Sequence, residues 1–148
     1  LYTRREVLAM GAGVAAGALL PGLSLAQAAK PLLSRKIPKS GELLPVIGLG
    51  TAIIFDIGND LEKRAERTEV IRTLLDGGAK MIDTAPSYGT AESVVGDLLA
   101  ATKLRDRVFL ATKVRSNDNE AFAAQMKQSQ QRLHSQKIDL MLMHNVGF

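Results

Sequence analysis

From Pro45 onward the chain alternates short apolar runs with helical stripes, and this alternation constrains its fold more tightly than any other feature. Val46–Thr51 reads as a buried strand. Leu61, Ala65, Ile71, Leu74 and Leu75 fall on one helical stripe, which Gly77-Gly78 stops. Met81–Ala85 is a second strand. Ala91, Val94, Val95, Leu98 and Leu99 mark a second helix, with Thr90 as its N-cap. Val108–Val114 is a third strand, Phe122, Met126 and Leu133 mark a third helix, and Ile138–His144 is a fourth strand. A helix between successive strands returns the chain to the same edge, so the sheet is parallel. Runs such as Met141-Leu142-Met143 call for burial on both faces. Upstream, Ser40-Gly41 separates Arg35-Lys36-Ile37 from Glu42-Leu43-Leu44, the pattern of a short hairpin. Two α/β architectures share this order: an open doubly wound sheet, and part of a (β/α)8 barrel.

Residues 1–28 follow different rules. Arg4 and Arg5 are adjacent, Val7 through Ala29 carries no charge, and Ala26-Gln27-Ala28 supplies a small-x-small cleavage site. That pattern predicts a signal peptide of the twin-arginine type, an export-machinery partner, and a periplasmic or exported product. The apolar stretch is rich in Ala and Gly and broken by Pro21-Gly22, which predicts an export signal and no stable membrane anchor. Gly11-Ala12-Gly13-Val14-Ala15-Ala16-Gly17 imitates a dinucleotide loop, but no strand precedes it and no acidic residue follows at the usual distance. Residues 29–148 then form the folded domain.

Composition closes off several classes. The chain of 148 residues has no cysteine and only two histidines, His134 and His144. A disulfide scaffold, a thiolate metal site and an iron–sulfur cluster are excluded, and no metal site is expected. The net charge of +4 is spread without a basic cluster or interleaved aromatics, so nucleic acid is not an expected partner.

Polar residues of complementary chemistry fall at the C-terminal ends of three strands: Asp83, Lys113 and His144, with Tyr88 in the loop after Asp83. Strand C-termini face the active site in barrels and open sheets alike. Each residue alone has a structural explanation, as a turn cap, a snorkelling lysine, a loop aromatic or a satisfied core histidine. Together they suit one task. Side chains alternate, so Ala111 and Lys113 share a face that Thr112 does not. An inward Lys113 needs a counter-charge, which Asp83 on the neighbouring strand supplies. A cation beside a phenol favours the phenolate, which suits Tyr88 to donate a proton. His144 can donate a hydrogen bond to the oxygen that Tyr88 protonates. A carbonyl oxygen gaining charge as hydride arrives would use this arrangement.

Leu44-Pro45-Val46-Ile47-Gly48-Leu49-Gly50-Thr51, Ile82-Asp83-Thr84-Ala85-Pro86-Ser87-Tyr88-Gly89, Ala91-Glu92, Ala111-Thr112-Lys113-Val114 and Ile138-Asp139-Leu140-Met141-Leu142-Met143-His144-Asn145 occur in a telling order and spacing. Over roughly residues 35–146 the chain resembles the aldo/keto reductase superfamily. The resemblance implies the N-terminal half of a (β/α)8 TIM barrel, with four parallel strands and three helices, whose bottom the hairpin closes. It implies reversible reduction of a small-molecule carbonyl substrate, an aldehyde or ketone, with NADPH or NADH. Tyr88 matches the proton donor, Lys113 and Asp83 its activating pair, and His144 the residue that orients the carbonyl. Thr51 and Asp83 match positions at the nicotinamide end. Ala52 stands where many members carry an aromatic residue.

A full barrel needs about 250 residues. The half represented here is expected to be inactive alone, with two open sheet edges and uncovered apolar surface that favour aggregation or pairing with another half. Two other readings are a non-catalytic nicotinamide-nucleotide-binding barrel or regulatory subunit, and a half-barrel completed by a second copy. The complete set of Asp83, Tyr88, Lys113 and His144 favours the enzyme, because a binding module needs no proton donor.

Overall fold

Strands β1 (Ser34–Lys36) and β2 (Leu43–Pro45) pair antiparallel, as the turn signal at Ser40-Gly41 predicts. Gly41 makes that turn at φ +73°, and its N–H donates to the Ile37 carbonyl at 2.8 Å. The computed structural model describes residues 31–115 and 118–145. The signal-like segment 1–28, with its glycine-rich stretch, lies outside the described residues.

Strands β3 (Gly48–Gly50), β4 (Met81–Asp83), β5 (Phe109–Val114) and β6 (Leu140–Met143) form one parallel sheet in chain order. That order decides between the two architectures. A doubly wound sheet reverses direction at a switch point, whereas barrel strands follow one another round the circle. The register sets Gly50 opposite Asp83, Asp83 opposite Ala111, and Ala111 opposite Leu140.

Among the described residues the three α-helices are α1 (Leu61–Asp76), α2 (Ala91–Thr102) and α3 (Asn119–Arg132). Asp60 caps α1 by accepting the Lys63 N–H, and Asp118 caps α3 by accepting the Ala121 N–H. Of the expected α1 stripe only Ile71 and Leu75 are fully buried; Leu61, in the first turn, is exposed. Helix α2 buries Ala91, Val94, Val95, Leu98 and Leu99, as its periodicity predicts.

The core lies between the helices and one face of the sheet: Phe55, Ile71, Ile82, Val95, Leu99, Leu110 and Leu133. Strand alternation turns Leu110, Thr112 and Val114 toward the helices and Ala111 and Lys113 to the opposite face. That opposite face is the barrel interior. At its hairpin end Ile37, Phe109, Ile138 and Leu140 line a depression of about 550 Å³. Among the described residues, no helix is long and apolar enough to cross a membrane.

Candidate active site

The four polar residues converge at the carboxyl ends of the strands. Lys113 Nζ lies 2.6 Å from Asp83 Oδ2 and donates also to the Thr84 carbonyl at 2.9 Å. The neighbouring-strand pairing expected from alternation is therefore present, with the lysine side chain largely buried. The same ammonium stands 4.9 Å from the centroid of the Tyr88 ring, over its face. A cation there is attracted by the ring quadrupole, so Lys113 binds Asp83 and Tyr88 into one unit.

His144 follows β6, where its N–H donates to the Val114 carbonyl at 2.7 Å. Its ring meets Tyr88 edge-on, with centroids 5.7 Å apart and planes at 89°. Its Nδ1 lies 3.3 Å from Ser87 Oγ. Sequence reasoning passed over Ser87, although it precedes Tyr88 in the same loop. With the serine hydroxyl donating to Nδ1, the opposite ring nitrogen carries the proton and becomes a donor.

Thr51 is fully buried. Its N–H and its hydroxyl both donate to the Asp83 carbonyl, at 3.1 and 3.0 Å. Thr51 thus fixes the backbone from which the Asp83 carboxylate projects. Glu92, one of the resemblance's carriers, is 1% exposed. It accepts the Thr112 hydroxyl at 2.7 Å and pairs with Arg132 at 3.1 Å on the helix side of the sheet. Its task is joining β5, α2 and α3, away from the interior face.

Beside Tyr88, an open depression of about 440 Å³ is lined by Ala52, Ile53, Asp56, Ser87, Tyr88 and Gly89. Its volume is within the range that holds a small ligand. Ile53 stands at its lip, 86% exposed, with φ +66°. A β-branched residue in the left-handed region is strained, and such strain collects at ligand sites. The turn is held by Ile54 N–H to Ala52 O at 2.7 Å and Phe55 N–H to Thr51 O at 3.1 Å, with Phe55 buried beneath. Asp56, also missed from sequence, bridges this loop to the Tyr88 loop. Hydrogen bonds from the Thr90 N–H and hydroxyl hold its carboxyl below the ordinary carboxylate value. Among the described residues, no cluster of three metal-ligating side chains is present.

A sequentially ordered parallel sheet with helices outside and its polar groups at the strand carboxyl ends defines the β/α-barrel class. Within that class the chain belongs to the aldo/keto reductase family, which residues 46–148 match. It is 36% identical over 119 residues to the methylglyoxal reductase YeaE of Escherichia coli, covering 76% of this chain and 40% of that protein. A Klebsiella pneumoniae aldo/keto reductase solved with NADP and acetate is 33% identical, at a TM-score of 0.60, over 70% of this chain and 36% of its own. Another from Klebsiella pneumoniae, solved with NADPH, is 30% identical at a TM-score of 0.65, over 79% of this chain and 41% of its own. The chain spans about two fifths of the length of these proteins.

Proposed function

We propose that the protein to which this chain belongs reduces an aldehyde or ketone with NADPH or NADH. The observation that carries this reading is the unit formed by Asp83, Lys113 and Tyr88 with His144 edge-on to the same ring. The donor set suits the reacting end of a nicotinamide: Tyr88 lines an opening, the paired Lys113 stands over its ring and His144 meets it edge-on. Asp83 and Thr51 would bound that end, Thr51 through the Asp83 carbonyl that it holds. When bound, a nicotinamide would supply hydride to the carbonyl carbon. Tyr88 gives its proton to the carbonyl oxygen, and the Lys113 ammonium stabilises the charge left on the phenol. Asp83 keeps that ammonium in place. His144, with Nδ1 on Ser87, offers its other nitrogen to the same oxygen and fixes the approach of the substrate. Family membership and relatives solved with NADP and NADPH support the cofactor.

Tyr88→Phe in the native full-length protein tests the reading. We expect turnover to fall by at least about a hundredfold, the scale of lost proton transfer, with nucleotide affinity retained. Unchanged turnover would overturn it. A wild-type protein that binds nucleotide but turns over no carbonyl would instead favour the non-catalytic nucleotide-binding barrel.

The paired Arg4-Arg5 and the Ala26-Gln27-Ala28 site support export by the twin-arginine route, with residues 1–28 removed and the product periplasmic or exported. That route carries folded proteins, so the nucleotide can leave the cytoplasm bound. Replacing Arg4 and Arg5 together by lysine is expected to strand the precursor inside the cell. Undiminished export of that variant would refute the assignment.

A further inference from the structure

We infer that Asp56 is a positioning residue that sets Tyr88 for proton transfer by latching the loop after β3 to the loop after β4. The inference rests on the carbonyl-reduction reading above. Helix α2 begins one residue after Thr90, yet the Thr90 side chain makes no capping bond of its own. The cap comes from the other loop. Asp56 Oδ1 accepts the Thr90 N–H at 2.9 Å and the Thr90 hydroxyl at 2.8 Å, and that hydroxyl accepts the Gly58 N–H at 3.0 Å. A carboxylate at a helix N-terminus is favourable both as an acceptor for an orphan N–H and as a charge facing the positive end of the helix.

Three features couple this latch to Tyr88. Gly89, between Tyr88 and Thr90, has φ +58°, and a Cβ there would collide with the Asp56 carboxylate. The loop therefore packs directly on Asp56. The Tyr88 backbone is held on both sides, its N–H on Ala85 O at 3.1 Å and its carbonyl by the Ala91 N–H at 3.0 Å. A shift of the α2 N-terminus thus moves Tyr88. Finally, Phe55, next to Asp56, is fully buried, so the exposed Asp56 carboxylate projects from a backbone anchored in the core.

The test uses the native full-length protein and four variants: Asp56→Ala, Asp56→Asn, Gly89→Ala and Tyr88→Phe. Asp56→Ala is expected to lower kcat about tenfold to a hundredfold, the scale of a small misplacement of a reacting group. Asp56→Asn keeps an acceptor oxygen and should restore most of kcat. Gly89→Ala should reproduce the loss by displacing the Asp56 carboxylate from Thr90. A second readout needs no turnover: the amides of Thr90 and Ala91 should exchange with solvent at least about tenfold faster in Asp56→Ala, as local openings become easier. Should Asp56→Ala fold poorly, the kcat and the Thr90 and Ala91 exchange rates of Gly89→Ala carry the comparison. Unchanged kcat and exchange in Asp56→Ala, in a protein that Tyr88→Phe inactivates, would overturn the latch alone. Full activity in Tyr88→Phe would overturn the reading beneath it.

Discussion

Asp139 shows how one side chain fixes where a strand begins. Its side chain is 8% exposed, and it receives the Leu110 N–H at 2.9 Å, Arg105 at 3.1 Å and Lys137 at 2.8 Å. The Leu110 amide belongs to β5, so Asp139 ties the entry of β6 to its neighbour. Burial pushes the carboxyl up, but the Leu110 N–H, Lys137 and Arg105 together outweigh it and hold the group below its ordinary value. Asp139→Ala should therefore cost about 1–3 kcal/mol, the price of leaving buried donors unmatched. The pH dependence has a definite sign. A depressed carboxyl adds stability in full above its unfolded pKa, and that stability is lost as pH falls through the folded value. Urea melts of wild type and variant should differ at neutral pH and converge in acid below the ordinary carboxylate range. A constant difference across that range would count against the assignment. At the same scale, some contacts were legible in sequence and others were not. The Lys113–Asp83 pair follows from alternation on adjacent strands, which fixes both faces in advance. The Asp56–Thr90 latch joins two irregular loops, where no period says which side chains meet.

Among the elements, α2 meets the end of α3 at close range through Gly96. A Cβ on Gly96 would collide with the Arg132 carbonyl and lie 2.7 Å from Leu133 Cα. Two effects compete in Gly96→Ala. Helix propensity favours alanine by about 1 kcal/mol. Overpacking against backbone costs about 1–3 kcal/mol, and backbone cannot rotate away as a side-chain tip can. The collision wins, so denaturant unfolding should show a net loss, with the α3 end and the Glu92–Arg132 pair displaced. A stabilised variant would mean that the helices sit farther apart. The order of strands and helices could be read from the sequence because each apolar stripe faces the same sheet. Element ends could not. Val46 and Ile47 look like strand by composition, but they are exposed and precede β3, since neither lies opposite a β4 residue. Leu61 extends the helical stripe on paper, while the sheet beneath α1 is only three residues deep at β3 and β4.

On the scale of the whole molecule, β3 and β6 are the edges of the parallel sheet among the described residues. Successive β6 side chains point to opposite faces, yet Leu142 is 38% exposed and Met143 46% exposed. Both faces of that strand are thus open, alongside an unpaired backbone edge. Exposed apolar surface on an unpaired edge strand promotes association. The polypeptide of residues 29–148, made alone, should form oligomers at micromolar concentration and bind a hydrophobic dye. Leu142→Lys together with Met143→Lys should reduce both, since charge on an edge strand opposes pairing. The four site residues lie on the interior face and its rim, which this sheet lines from one side only. Aldehyde turnover with NADPH by that polypeptide should therefore be absent, although Asp83, Tyr88, Lys113 and His144 are all in place. Light scattering and a cofactor-oxidation assay on one preparation settle both points. A monodisperse monomer without dye binding would refute the open-edge account, and measurable turnover would show that one side of the barrel suffices for catalysis.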